Sequence, residues 1–230
     1  MQPFQCYRTG KCCTNIKGKN GFGLLLFDTE ATEFLTQGKN LGHIPKLEYV
    51  IKLEPKTKTK VIILIQLAET NCPFLNKENM ECRIYEKRPL VCRSYPVQST
   101  GLDPARPGRF AAGKACEGCQ KTGFLKIIDE NKPMTHQEIR TRAKEMASVF
   151  GDAYYNQLMV EQNNYTDYKV FEQLKNKGYF KPVAQEQLSE VKNWTTKTLA
   201  QFCRQEGITH TYFTIFDLDN IKKEYQHKLQ

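Results

Sequence analysis

The chain has 230 residues, with 34 Lys and Arg against 25 Asp and Glu, a formal net charge of +9, and nine cysteines. Hydrophobic residues make up 40% and charged residues 26%, an ordinary globular balance that excludes wholesale disorder. The longest apolar run, Val61 to Ile65, falls far short of the ~20 residues that span a bilayer. The opening residues hold no apolar segment of the kind a secretion signal needs. A cytoplasmic location is therefore expected, where thiols stay reduced and nine cysteines need a reason other than disulfides.

Residues 1–20 are rich in Gly, Lys, Cys and Asn without a hydrophobic period, and read as loop. Gly21–Phe27 reads as a short strand, followed by a helix capped by Asp28, running to about Gln37 and stopped by Gly38. Leu47–Glu54 and Lys60–Leu67 are expected to form two strands of a hairpin around an exposed, Lys-rich turn at 55–59. From Glu69 to Gln120 the chain is irregular, with Pro73, Pro89, Pro96, Pro104 and Pro107 interrupting any long element. A loop-rich stretch of that length is hard to stabilise by packing alone, and a metal staple is the natural remedy for its five cysteines.

The second half has a different texture. Thr135 and Glu138 form a capping box. Beyond them Ile139, Ala143, Met146, Phe150, Tyr154 and Leu158 recur at helical spacing, which predicts one long amphipathic helix. A shorter helix is expected near Asp167–Lys177, stopped by Gly178, and another over Gln185–Glu206, stopped by Gly207. Thr211–Phe216 reads as a strand, and Asp217 as the cap of a last helix carrying Lys222 and Lys223. The whole is expected to be α+β: a loop-rich, cysteine-bearing unit over 1–122 with a small antiparallel sheet, and a mainly helical part over 123–230 packed on it.

The cysteines are distributed unevenly. Eight of them (Cys6, Cys12, Cys13, Cys72, Cys82, Cys92, Cys116 and Cys119) lie in the first 120 residues, and Cys203 stands alone beyond. A buried Cys behaves as a small hydrophobe, which suits Cys203 beside Phe202. The other eight sit next to Arg, Lys, Gly and Pro in loops, where ligation of a metal or cluster explains them better. Eight thiols make two sites of four, or one site with thiols to spare. Only Cys116 and Cys119 have the paired two-residue spacing of a zinc knuckle. Cys12 and Cys13 are adjacent, and neighbouring side chains are expected to point apart. Single cysteines at 72, 82 and 92 suit the separated corners of a cluster, and Pro73 follows Cys72 as a Pro follows Cys in ferredoxin runs. The pattern favours an iron–sulfur cluster, a [4Fe–4S] in one or two copies, over zinc.

Cys6, Cys12 and Cys13, then Cys72-Pro73-Phe74-Leu75, then the run from Cys82 through Tyr85, Glu86, Arg88, Pro89, Cys92, Arg93, Tyr95 and Pro96 resemble the YkgJ-type cysteine-cluster family over about residues 4–120. That family is described as a zinc- or iron-chelating domain, and its members are often labelled iron–sulfur proteins. Its usual opening carries a Cys where this chain has Thr9, which raises the value of Cys116 and Cys119 as replacements; any of His43, His136, His210 and His227 is a further candidate. Flagellin lysine N-methylases carry a related cysteine pattern, so the resemblance also implies an iron–sulfur protein-lysine methyltransferase as one alternative. A zinc-stapled, non-enzymatic binding module is the other.

Around the ligands, Arg88 and Arg93 are suited to balancing the negative charge of the site, and Tyr85 and Tyr95 to packing over it. Residues 1–120 carry 18 Lys and Arg against 11 Asp and Glu, whereas residues 121–230 carry 16 against 14. A basic half raises the possibility of nucleic acid. Yet a four-thiolate zinc site or an oxidised four-iron cluster each carries a net charge of about −2, so part of that surplus is internal compensation. The expected partner is a macromolecule, a protein ahead of nucleic acid, with no membrane span. No phosphate-binding loop, dinucleotide fingerprint or nucleophile elbow is present.

Overall fold

The computed structural model describes residues 4–14, 16–17, 23–97 and 135–209. Cys116, Cys119, His210, His227, the expected strand at Thr211–Phe216 and the helix after Asp217 lie outside the described residues.

The hairpin forms the centre of the sheet. β2 (Leu47–Glu54) and β3 (Thr59–Leu67) pair antiparallel from Leu47 opposite Leu67 to Glu54 opposite Thr59. Val50 faces Leu64 and Ile51 faces Ile62, so Ile63 is an extra residue on β3, a bulge. β1 (Leu25–Leu26) pairs antiparallel with one end of β3, at Ile65 and Gln66. The other end pairs in parallel with β4 (Thr195–Thr198), from Thr59 opposite Thr195 to Ile62 opposite Thr198. The class is α+β as expected, but the sheet is mixed rather than antiparallel, because its fourth strand arrives from the far end of the chain.

Helix α1 (Asp28–Asn40) follows β1. It runs through Gly38 instead of stopping there. A Cβ at Gly38 would lie 2.2 Å from Pro45 Cδ and 2.4 Å from His43 O, so this glycine serves the close return of residues 43–45. The left-handed position that ends the helix is Gly42, with φ +75°. Helix α2 (Leu90–Ser94) begins directly after Pro89, preceded by a 3-10 turn at Tyr85–Lys87.

In the second half, Thr135 Oγ1 accepts from Glu138 N while Glu138 Oε2 accepts from Thr135 N, the expected capping box. The single long helix does not persist. Gly151, at φ +49° and ψ −122°, divides it into α3 (His136–Phe150) and α4 (Asp152–Asn176). The expected short helix at Asp167–Lys177 is the last part of α4, which ends before Gly178 at φ +84°. The expected helix over Gln185–Glu206 is three elements: a 3-10 segment (Gln185–Asn193), β4, and α5 (Leu199–Gln205) capped by Thr198. The Thr-rich run 195–198 takes the open edge of β3, and that pairing overrides the helical pattern.

Two apolar clusters flank the sheet among the described residues. One gathers Leu24, Leu26, Phe34, Ile65, Leu67, Phe74 and Ile84, with Cys72, Cys82 and Cys92 packed at its margin. The other joins Val61 of β3 to Val170 and Leu174 of α4 and to Leu199, Phe202 and Cys203 of α5. Glu54, buried at the end of β2, accepts from the backbone N–H groups of Lys56 and Phe180, tying the hairpin turn to the segment after α4. Among the described residues no helix is long and apolar enough to cross a membrane.

Candidate metal centre

Four stretches of chain bring cysteines to one place. The first is a 3-10 turn, Lys11–Cys13, entered from Gly10 at φ +66°. A Cβ on Gly10 would lie 2.8 Å from Met80 O and 2.9 Å from Leu75 Cδ1, so only glycine lets the turn sit this close to residues 75–80. The second stretch is bonded to it directly, Cys72 N donating to Cys13 O at 2.8 Å. The chain then doubles back. Asn76 N donates to Glu81 O, Arg83 N donates to Phe74 O, and Leu75 bridges Cys82, which returns the third cysteine beside the second. The fourth, Cys92, rides on α2, whose start is held by Glu30 of α1. One oxygen of that carboxylate accepts from Phe27 N at 3.2 Å and the other from Leu90 N at 2.6 Å.

Cys6, Cys12, Cys13, Cys72, Cys82 and Cys92 all line one cavity of about 240 Å³. Its apolar wall includes Leu24, Phe34, Phe74, Ile84 and Val91; Phe34 and Phe74 meet edge to face at 4.8 Å. Tyr85, Arg88 and Tyr95 also line it, whereas Arg93 is exposed on α2 outside the wall. Arg88 Nε donates to Tyr85 O at 2.7 Å, and its guanidinium lies 3.6 Å from the Tyr85 ring centre. Arg8 stacks on the same ring at 4.3 Å. His43 is engaged elsewhere, with Glu69 at 3.0 Å.

The sulfurs of Cys12 and Cys13 lie 3.8 Å apart, so the expectation that these neighbours diverge is wrong. In a 3-10 turn consecutive side chains are separated by about 120° rather than alternating across a strand, and two short side chains can close that angle. Among the described residues no three His, Cys, Asp or Glu groups close on one point tightly enough to hold a single ion. Cys12, Cys13 and Cys72 are side-chain neighbours in turn, and Cys82 and Cys92 line the same cavity.

Four thiols of this wall, Cys12, Cys13, Cys82 and Cys92, are pushed above their ordinary values. The Cys13 sulfur beside it, more than burial, pushes the Cys12 thiol far above its ordinary value. Cys13 is pulled down by its bond from Cys12, but the bond to Cys72, burial and the neighbouring thiols win, leaving it pushed up to about 12. Burial raises Cys82, and burial followed by the nearby Cys13, Cys12 and Cys82 raises Cys92 further. Arg88 works in the opposite direction on Cys12, Cys82 and Cys92. Mutual repulsion of this kind is relieved when a metal replaces the protons, so the donor set fits a thiophilic metal.

Residues 5–120 match the CxxCxxCC family model, described as "Putative zinc- or iron-chelating domain". The chain belongs to this family. Metal binding is what membership supports for residues 5–120, with zinc and iron both compatible. No curated protein and no solved structure matches the chain. The CxxCxxCC signature reads here as Cys6, Thr9, Cys12 and Cys13, with Thr9 in place of one sulfur. Sequence reasoning missed Gly10 and Arg8 in this wall. Gly10, two residues before the adjacent cysteines, was the available signal of a close approach. Arg8, at φ +51°, left no signal.

Proposed function

We propose that this chain binds an iron–sulfur cluster, a [4Fe–4S], in the six-thiol cavity. The observation that supports this reading is the distribution of the thiols: they come from separate segments and line one cavity instead of converging on a point. A cubane needs separated cysteine corners, whereas a single zinc needs four sulfurs about 2.3 Å from one centre. The four cysteine corners of one cluster are drawn from Cys12, Cys13, Cys72, Cys82 and Cys92, with Cys6 and Cys12 the more exposed of the cavity's thiols and Cys116 and Cys119 as further candidates. When bound, such a cluster supplies one-electron chemistry, for redox or for modification of a macromolecular substrate. The residues around it have separate tasks. Phe34, Phe74, Ile84 and Val91 keep water away from its inner side, and Arg88, fixed by the Tyr85 carbonyl and ring, supplies positive charge against the thiolates.

Zinc is the second reading, favoured by one distance. Two sulfurs of a tetrahedral thiolate site are about 3.8 Å apart when each bond is about 2.3 Å, and Cys12 and Cys13 have that separation. Metal and sulfide analysis of anaerobically purified protein, with its visible spectrum, decides between them. A brown protein containing iron and acid-labile sulfide is expected. A colourless protein with stoichiometric zinc overturns the cluster.

A further inference from the structure

β2 ends the sheet order β1–β3–β2, and among the described residues no strand pairs with its second edge. Such an edge presents a row of unpaired backbone groups to any strand that can align with it. Five consecutive residues of β2, Glu48 to Lys52, are exposed. They include Tyr49, Val50 and Ile51, which are 46%, 39% and 41% exposed.

The sequence of this strand is complementary to its own reverse. An antiparallel second copy centred on Val50 sets Glu48 opposite Lys52, Tyr49 opposite Ile51, Val50 opposite Val50 and Leu47 opposite Leu53. Strand side chains alternate between faces. One face of the joint thus carries two Glu–Lys pairs flanking a Val–Val pair, and the other carries two Tyr–Ile pairs, all favourable cross-strand combinations. The neighbouring registers are penalised. Centring on Tyr49 sets Lys46 opposite Lys52, and centring on Ile51 sets Glu48 opposite Glu54. Glu48 is already oriented by Lys17 Nζ at 2.8 Å and Gln66 Nε2 at 3.0 Å, and a carboxylate retains lone pairs for a further donor.

We propose that β2 is a self-association edge, at which a second copy of this chain pairs antiparallel about a two-fold axis through Val50. Two four-stranded sheets then become one continuous sheet of eight strands, and the contact is isologous and closed. The occupant is chosen by charge complementarity, which a basic protein meeting itself requires.

Sedimentation equilibrium of the full, metal-loaded chain tests this. The parent is expected to be a dimer at micromolar concentrations. Lys52→Glu places like charges opposite at both ends of the joint and raises the dissociation constant on the order of tenfold or more. Combining Lys52→Glu with Glu48→Lys restores the attraction with its sign reversed and restores the dimer. Circular dichroism confirms that both variants are folded. A monomeric parent, a dimer indifferent to Lys52→Glu, or a folded double variant that stays monomeric overturns the proposal.

Discussion

Two apolar clusters among the described residues treat cysteine in opposite ways. In the first, Cys72, Cys82 and Cys92 sit half-buried at the margin of Phe34, Phe74 and Ile84, with their sulfurs turned to a shared cavity. In the second, Cys203 is enclosed on α5 by Val61, Val170, Leu174 and Phe202, with none of its surface exposed. The surroundings explain the difference. Residues 69–97 contain one 3-10 turn and one helix of five residues, so most of their backbone lies outside regular elements and a bound metal adds to what holds them. The second cluster draws on α4, α5 and β3, whose own hydrogen bonds and apolar faces suffice. A thiol enclosed on every side by apolar neighbours packs, and a thiol that reaches a shared cavity from a loop or a short helix is free to ligate.

Metal removal is the strongest way to separate the two. Thiolate metal sites contribute on the order of 10 kcal/mol of apparent folding energy. Chelation under reducing conditions is therefore expected to abolish hydrogen-exchange protection over residues 69–97 while α4 and α5 stay protected. Loss of protection in both regions together would merge what is here kept apart.

Phe202→Ala attacks the other side. Phe202 is fully buried between Tyr179 and Phe180, and its truncation is expected to cost about 3–5 kcal/mol in denaturant unfolding, with metal content unchanged. Metal loss in a folded Phe202→Ala protein would show the clusters to be one unit.

Much of this division was legible in advance. The hairpin bounds, the Thr135–Glu138 cap and the packing of Cys203 follow from local pattern. The glycines were harder, because one residue type answers two needs. Gly38 permits a close contact inside a helix, while Gly151 supplies a left-handed angle that breaks one, and neither reason shows in the residues beside it. β4 was missed because its partner on β3 lies more than a hundred residues earlier, and non-local pairing leaves no periodic trace. Six of the eight cysteines expected to act together line one cavity, but the closeness of Cys12 and Cys13 depended on a 3-10 turn entered from Gly10.

The smallest effect concerns pH. Burial, and after it the charge of Asp167, pushes the Cys203 thiol up to about 11 from an ordinary 9. Its folded pKa is raised, so its contribution to stability is fully present below pH 9 and lost as pH rises through about 11. In metal-loaded protein, Cys203→Ala is expected to flatten the fall in melting temperature over that window. An unaltered slope would mean that Cys203 does not titrate with folding.

Ligation in the cavity against packing on α5 is tested most directly by metal content per chain in Cys92→Ser and Cys203→Ser, purified anaerobically beside the parent. Cys203→Ser should hold the parent's full complement and Cys92→Ser should lose it. Equal metal in all three, or loss in Cys203→Ser alone, would contradict the assignment.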